Sequence, residues 1–68
     1  MQLRVNDESY ELQGTGCTLH HLLLAIGREQ SLGIAVAVNN DVVPKEHWQA
    51  FTLNENDDVF IVQATQGG

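Results

Sequence analysis

The sequence predicts a small two-layer α+β domain, one helix packed on one face of a small sheet. Three observations lead there. Apolar and polar residues alternate in "QLRVN" and again in "YELQ", on either side of the polar "NDES". One segment, "TLHHLLLAI", carries a single apolar stripe at helical spacing. Two later runs, "IAVAVN" and "VFIVQA", are short and rich in β-branched residues. A lone amphipathic helix and a few strands bury their apolar faces most economically against each other.

Each element has a local reason. Leu3 and Val5 share one face of the first strand, Tyr10 and Leu12 one face of the second, and the turn residues between them make residues 2–13 a β-hairpin. "GTG" then breaks the strand, and Thr18 is a good N-cap. Leu19, Leu22, Leu23 and Ile26 fall at i, i+3, i+4 and i+7, and Gly27 stands where a left-handed residue ends a helix. Residues 28–33 read as a loop or a frayed last turn. In the next strand Ile34, Val36 and Val38 face one way, and the small Ala35 and Ala37 the other. Apolar character on both faces predicts a strand away from the sheet edge, with something packed closely over the alanines. "NND" is a turn, Val42-Val43 a short edge strand stopped by Pro44, and "PKEHWQAF" a short helical turn. "LNENDD" is a turn in which Asn56 can take positive φ, and "VFIVQA" is the last strand. Spacing alone leaves open whether the strand after the helix pairs parallel or antiparallel.

Length and composition narrow the function. A chain of 68 residues makes one domain, and at this size folding hides only about 60% of the unfolded surface. Cys17 is the only cysteine, which excludes an internal disulfide and any four-cysteine metal site. A lone thiol fits a reducing compartment. The opening "MQLRVN" lacks the apolar run of a signal peptide, and no stretch approaches the roughly 18 apolar residues of a membrane span. The expected location is the cytoplasm. The formal charge of −6, nine acids against Arg4, Arg28 and Lys45, repels phosphate backbones; it either serves plain solubility or favours encounter with a basic protein surface.

Few side chains within the domain offer chemistry. His20 and His21 are adjacent in the helix, point about 100° apart, and flank the apolar stripe; His47 is far along the chain. Zinc needs three or four convergent ligands, so no metal site is expected. Cys17 precedes a helix start, which can activate a thiol, but the chain is too small for a substrate cleft; a small buried hydrophobe is the expected role. Asp57-Asp58 with Glu55 reads as a solvated turn. Trp48 and Phe51, at i and i+3, are expected to cap one end of the core, an exposed Trp48 being the alternative as a binding anchor. "GTG" and "GRE" lack the pattern of a phosphate loop. No cofactor is called for.

That leaves "TQGG" at residues 65–68. An α-carboxylate on Gly68 is ionised at neutral pH, given a reference pKa of about 3.5. It is then a poor electrophile, but its oxygen can attack the α-phosphate of ATP in an activating enzyme. The acyl-adenylate so formed accepts sulfur, nitrogen or oxygen nucleophiles. Two residues without Cβ let an extended backbone pass a narrow channel that a bulky penultimate residue would block.

The chain resembles the ThiS family, the sulfur carrier proteins of thiamin biosynthesis. "MQLRVN" is similar to the family's opening strand with its following Asn, and "TLHHLL" to its helix start. "IAVAVNNDVVPKEHW" resembles its most distinctive segment, and "LNENDDVFIVQATQGG" its closing turn, strand and Gly-Gly. Asn56 stands where the family usually has Gly, and Gln66 where a small apolar residue is common. The resemblance implies a ubiquitin-like β-grasp fold over residues 1–68, a mixed sheet of four to five strands with one main helix, and a flexible tail from about residue 65. It implies a cosubstrate and not an enzyme. A partner resembling the ubiquitin-activating enzymes would adenylate Gly68, sulfur from a cysteine-derived persulfide would make a thiocarboxylate, and thiazole synthase would take that sulfur. Gly67 would be the slim penultimate residue, with Thr65 and Gln66 as tail contacts. The same tail also suits a sulfur carrier for molybdopterin synthesis or a ubiquitin-like protein modifier. A plain interaction domain is a further alternative.

Overall fold

The computed structural model describes residues 1–28 and 33–63. Among these residues, five strands and one helix are arranged in the order β1 (Gln2–Val5), β2 (Glu8–Glu11), α1 (Leu19–Ala25), β3 (Ile34–Val38), β4 (Asp41–Val43) and β5 (Asp58–Gln63), with a 3-10 turn at Lys45–His47 before β5. The strands form one mixed sheet in the spatial order β2-β1-β5-β3-β4. The last strand therefore occupies the centre. It runs parallel to β1, with Arg4 opposite Asp58 and Val5 opposite Val59, and antiparallel to β3, from Ile34 opposite Gln63 to Val38 opposite Val59. This resolves the pairing that spacing left open. The β4 strand lies at one edge and β3 inside, as predicted, and the whole is a β-grasp arrangement.

Both hairpins close by the same device. Asn6 and Asp7 have φ of 50° and 67°, and Asn39 and Asn40 have 51° and 74°. Two consecutive left-handed residues make the tight turn whose twist matches the flanking strands, and Asn and Asp tolerate that conformation best among non-glycine residues. The first hairpin is also tied at its open end. The Met1 ammonium donates to Glu11 Oε2 at 2.9 Å and to the Leu12 carbonyl at 2.8 Å. The hydrogen bond to Glu11 raises the amine's pKa above 8.0, with burial opposing and the charges of Glu11 and Glu55 adding to the rise.

The helix is capped at both ends. Thr18 accepts a hydrogen bond from the His21 amide at 3.2 Å, as its N-cap role requires. At the other end Gly27, with φ of 74°, donates to the Leu24 carbonyl at 3.1 Å, and Arg28 donates to that of Leu23 at 2.7 Å. These are the two crossed bonds of a Schellman motif, which uses the carbonyls a helix end leaves free. The first-turn amides of Leu19 and His20 reach outside the helix, to the carbonyls of Phe51 and Trp48 at 2.8 and 3.1 Å. The segment after the 3-10 turn thus completes the helix start.

Leu19, Leu22 and Leu23 of α1 pack with Leu3, Val36, Val38, Val43, Val59 and Ile61 of the sheet, and Leu12, Cys17, Trp48 and Leu53 close the ends of that core. Trp48 is 3% exposed, with its indole N–H donating to the Val43 carbonyl at 2.9 Å. It caps the core and is no surface anchor. Phe51 is half-buried against the same cluster.

Asp57 departs from the expected solvated turn. It is 7% exposed, and its carboxylate accepts from the Asn39 amide group at 2.9 Å and the Asn54 backbone N–H at 2.8 Å. The turn folds around this carboxylate, because two donors from different segments converge on it and satisfy it in place of water. Asp58 and Glu55 do face solvent, and Asn56 has the expected positive φ of 68°.

Candidate functional site

The face of the sheet opposite the helix is where β5 shows its other side. Val59 and Ile61 point into the core, while Phe60 and Val62 are 51% and 49% exposed. Register places Ala37 between Phe60 and Val42, and Ala35 beside Val62. Val42 is 72% exposed. The result is an apolar strip across β4, β3 and β5. Among the described residues nothing supplies the close packing expected over the alanines: Ala35 is exposed and Ala37 only half-buried. Small residues there instead leave the neighbouring Phe60 and Val62 open to the outside. Contiguous exposed apolar surface of this kind marks an interaction site more often than a lone exposed leucine does.

The strip adjoins the point where β5 leads into residues 64–68. Two side chains hold β5 there. Asn6 donates through Nδ2 to the Ile61 carbonyl at 3.2 Å and accepts through Oδ1 from the Ile61 N–H at 2.7 Å. Arg28 Nη1 donates to Gln63 Oε1 at 3.4 Å. Both side chains line a shallow groove with Val5, Tyr10, Ile26 and Ile61. Reading by sequence assigned Asn6 to the turn alone, and Arg28 to a loop or a frayed last helical turn. The second role of Asn6 depends on the parallel pairing of β1 with β5, which no local pattern encodes.

The candidate tail residues Thr65, Gln66, Gly67 and Gly68 lie outside the described residues. The other candidates are accounted for. The Cys17 thiol is 7% exposed and donates to the Gln13 carbonyl at 3.3 Å, so it serves as a small core residue. Among the described residues no three His, Cys, Asp or Glu side chains converge as a metal ligand set. His20 shares a shallow depression with Lys45, Glu46, Trp48 and Gln49, and no second histidine joins it there. The described residues thus place a β5 end held by two side chains next to an exposed apolar face.

Known proteins share this arrangement. The structure is similar to the crystal structure of the thiamine biosynthesis protein ThiS from Geobacter metallireducens, with a TM-score of 0.84 at 28% identity and both chains covered in full. It is also similar to the solution NMR structure of a thiamine biosynthesis protein from the same organism, with a TM-score of 0.78, covering all of this chain and 88% of that one. In sequence the chain is 32% identical to the sulfur carrier protein ThiS of Escherichia coli K12 over 68 residues, again the full length of both. The sequence model of the ThiS family matches residues 3–68, from the first strand through Gly67 and Gly68. On this match, nearly end to end, the chain belongs to the ThiS family.

Proposed function

We propose that this protein is a sulfur carrier of thiamine biosynthesis whose Gly68 carboxylate is the sulfur attachment point. The observation that carries the reading is the family match, which runs through the Gly-Gly end and does not stop at the last strand. The carrier is a cosubstrate throughout. A carboxylate oxygen of Gly68 attacks the α-phosphate of ATP on a partner resembling the ubiquitin-activating enzymes, and pyrophosphate leaves. The terminal sulfur of a cysteine persulfide on a sulfur-donating enzyme attacks the acyl carbon, and AMP leaves. A second thiol then attacks the S–S bond, is itself oxidised to a disulfide, and releases the thiocarboxylate. Thiazole synthase is the acceptor of that sulfur.

The domain's own part is recognition and delivery. Phe60, Val62 and Val42 present an apolar strip beside the strand that leads to the tail, and we assign it to the activating partner. The charge of −6 favours a basic rim on that partner and speeds encounter. Gly67 keeps the penultimate position slim, while Thr65 and Gln66 are the remaining tail contacts. The proposed reaction draws on ATP and thiols, so the cytoplasm is its expected setting, and residues 1–68 act in it as a single domain.

Intact-mass measurement tests this reading. The chain is incubated with ATP, a sulfur source and a candidate activating enzyme. A mass gain of one oxygen-to-sulfur exchange is expected, absent when Gly68 is deleted. No gain with a partner active on another carrier refutes it. Transfer of the sulfur to thiazole synthase, and not to a molybdopterin precursor, assigns the pathway.

A further inference from the structure

We infer that Asn6 is a positioning residue for the tail, a side chain that continues β1 where its backbone turns away. The inference rests on the carrier reading above. In the parallel pair, the Arg4 N–H donates to the Asp57 carbonyl at 3.0 Å and the Asn6 N–H to that of Val59 at 2.9 Å. A longer β1 would meet Ile61 next with its own main chain. It cannot, because Asn6 and Asp7 have positive φ and turn the chain back into β2. The Asn6 carboxamide takes over: Oδ1 receives the Ile61 N–H at 2.7 Å and Nδ2 reaches the Ile61 carbonyl at 3.2 Å. A carboxamide offers the donor and acceptor of a peptide unit, so it can stand in for a strand residue. Asp has no such donor when ionised, and Gly has neither group.

The consequence is directional. On its other flank Ile61 pairs with Val36 of β3, so β5 is held on both sides at Ile61, past the point where the β1 main chain stops at Val59. Gly68 lies seven residues along the chain from Ile61, and Ile61 is where Asn6 fixes the heading of β5. Holding a reacting group in the right place raises its effective concentration at a partner's active site. Asn6 performs that task without touching the reacting atoms.

The test uses Asn6→Gly, which keeps the positive φ and deletes the amide. Asn39→Gly is the matched control. Asn39 also has positive φ and makes two side-chain bonds, to Asp57 Oδ1 at 2.9 Å and from the Asp58 N–H at 3.0 Å, but at the opposite end of β5. Two readouts are taken: hydrogen exchange at the Ile61 amide, and kcat/KM for thiocarboxylate formation as carrier concentration varies. N6G should speed exchange at Ile61 and lower kcat/KM about tenfold, the scale of one hydrogen-bonded constraint. Asn6→Asp, which retains the acceptor, should fall between N6G and wild type, and carries the test if N6G does not fold. N39G should leave kcat/KM unchanged. Faster exchange at Ile61 with unchanged kcat/KM overturns the proposal, as does an equal loss in N39G. A wild-type chain that gains no sulfur overturns the carrier reading and this proposal with it. If wild type gains sulfur and N6G is unimpaired, only the role of Asn6 falls.

Discussion

Replacing Phe60 with alanine should separate docking from folding. Phe60 is 51% exposed on the outer face of β5. A phenylalanine presents on the order of 200 Å² of surface, so about 100 Å² remains for a partner to cover, equivalent to about 2.5 kcal/mol at ~25 cal/mol per Å². Full loss of that contribution is about 60-fold in kcat/KM, and the Cβ that remains still makes contact, so a fall of about 10- to 60-fold is expected. The cost to the fold is much smaller. Phe60 lies opposite Ala37, and cross-strand pairs contribute roughly 0.2–1 kcal/mol. The assay is ATP–pyrophosphate exchange by the activating enzyme over a range of carrier concentrations, alongside thermal unfolding of the free carrier. The loss should appear in KM. If F60A and V62A both keep the wild-type kcat/KM on an enzyme that does adenylate the chain, the strip is not the docking face and the reasoning fails.

Other outcomes follow from the same structure. Asp57→Ala removes a buried acceptor of two hydrogen bonds; a loss of about 2–4 kcal/mol in chemical denaturation is expected, and an unchanged midpoint would mean that the turn is not organised around this carboxylate. Gly67→Val should abolish thiocarboxylate formation, as mass spectrometry reads it, while thermal unfolding stays as in wild type. The Met1 amine has its pKa raised above 8.0 in the folded chain by Glu11. Its contribution is therefore fully present below the unfolded pKa and lost as pH rises through the folded value. Unfolding midpoints should decline on the alkaline side of about pH 8, and Glu11→Gln should flatten that decline.

What could be read beforehand was what neighbours along the chain decide. Alternation marked the first hairpin, Thr18 and Gly27 bracketed the helix, and Pro44 stopped β4, because each signal acts within a few residues. The central place of β5 was not readable. It depends on residues near position 4 meeting residues near 58, and period-two alternation is the same whichever strand is the neighbour. The Asp57 error has the same origin: Asp beside Asp in a polar turn reads as solvated until Asn39, from another hairpin, arrives above it. The outer strip was half visible. Apolar residues on both faces of "IAVAV" were noted, but pattern alone could not say that only one face is covered. The proposal for the tail rests on a different kind of reasoning, since Gly-Gly carries chemical meaning through its carboxylate and its lack of side chains, independent of tertiary structure.

Placing the last strand in the middle of the sheet has a consequence for how the protein comes into being. Synthesis makes the β1–β2 hairpin, the helix and the β3–β4 hairpin first, and none of these pieces is joined to another across the sheet until β5 slides between β1 and β3. Assembly thus waits on contacts between distant parts of the chain, the kind that slow folding most. A nascent or truncated chain lacking β5 has no Phe60–Val62 surface and no strand for Asn6 to grip. If the strip docks the activating partner as proposed, that partner engages only chains in which β5 has already been made and placed.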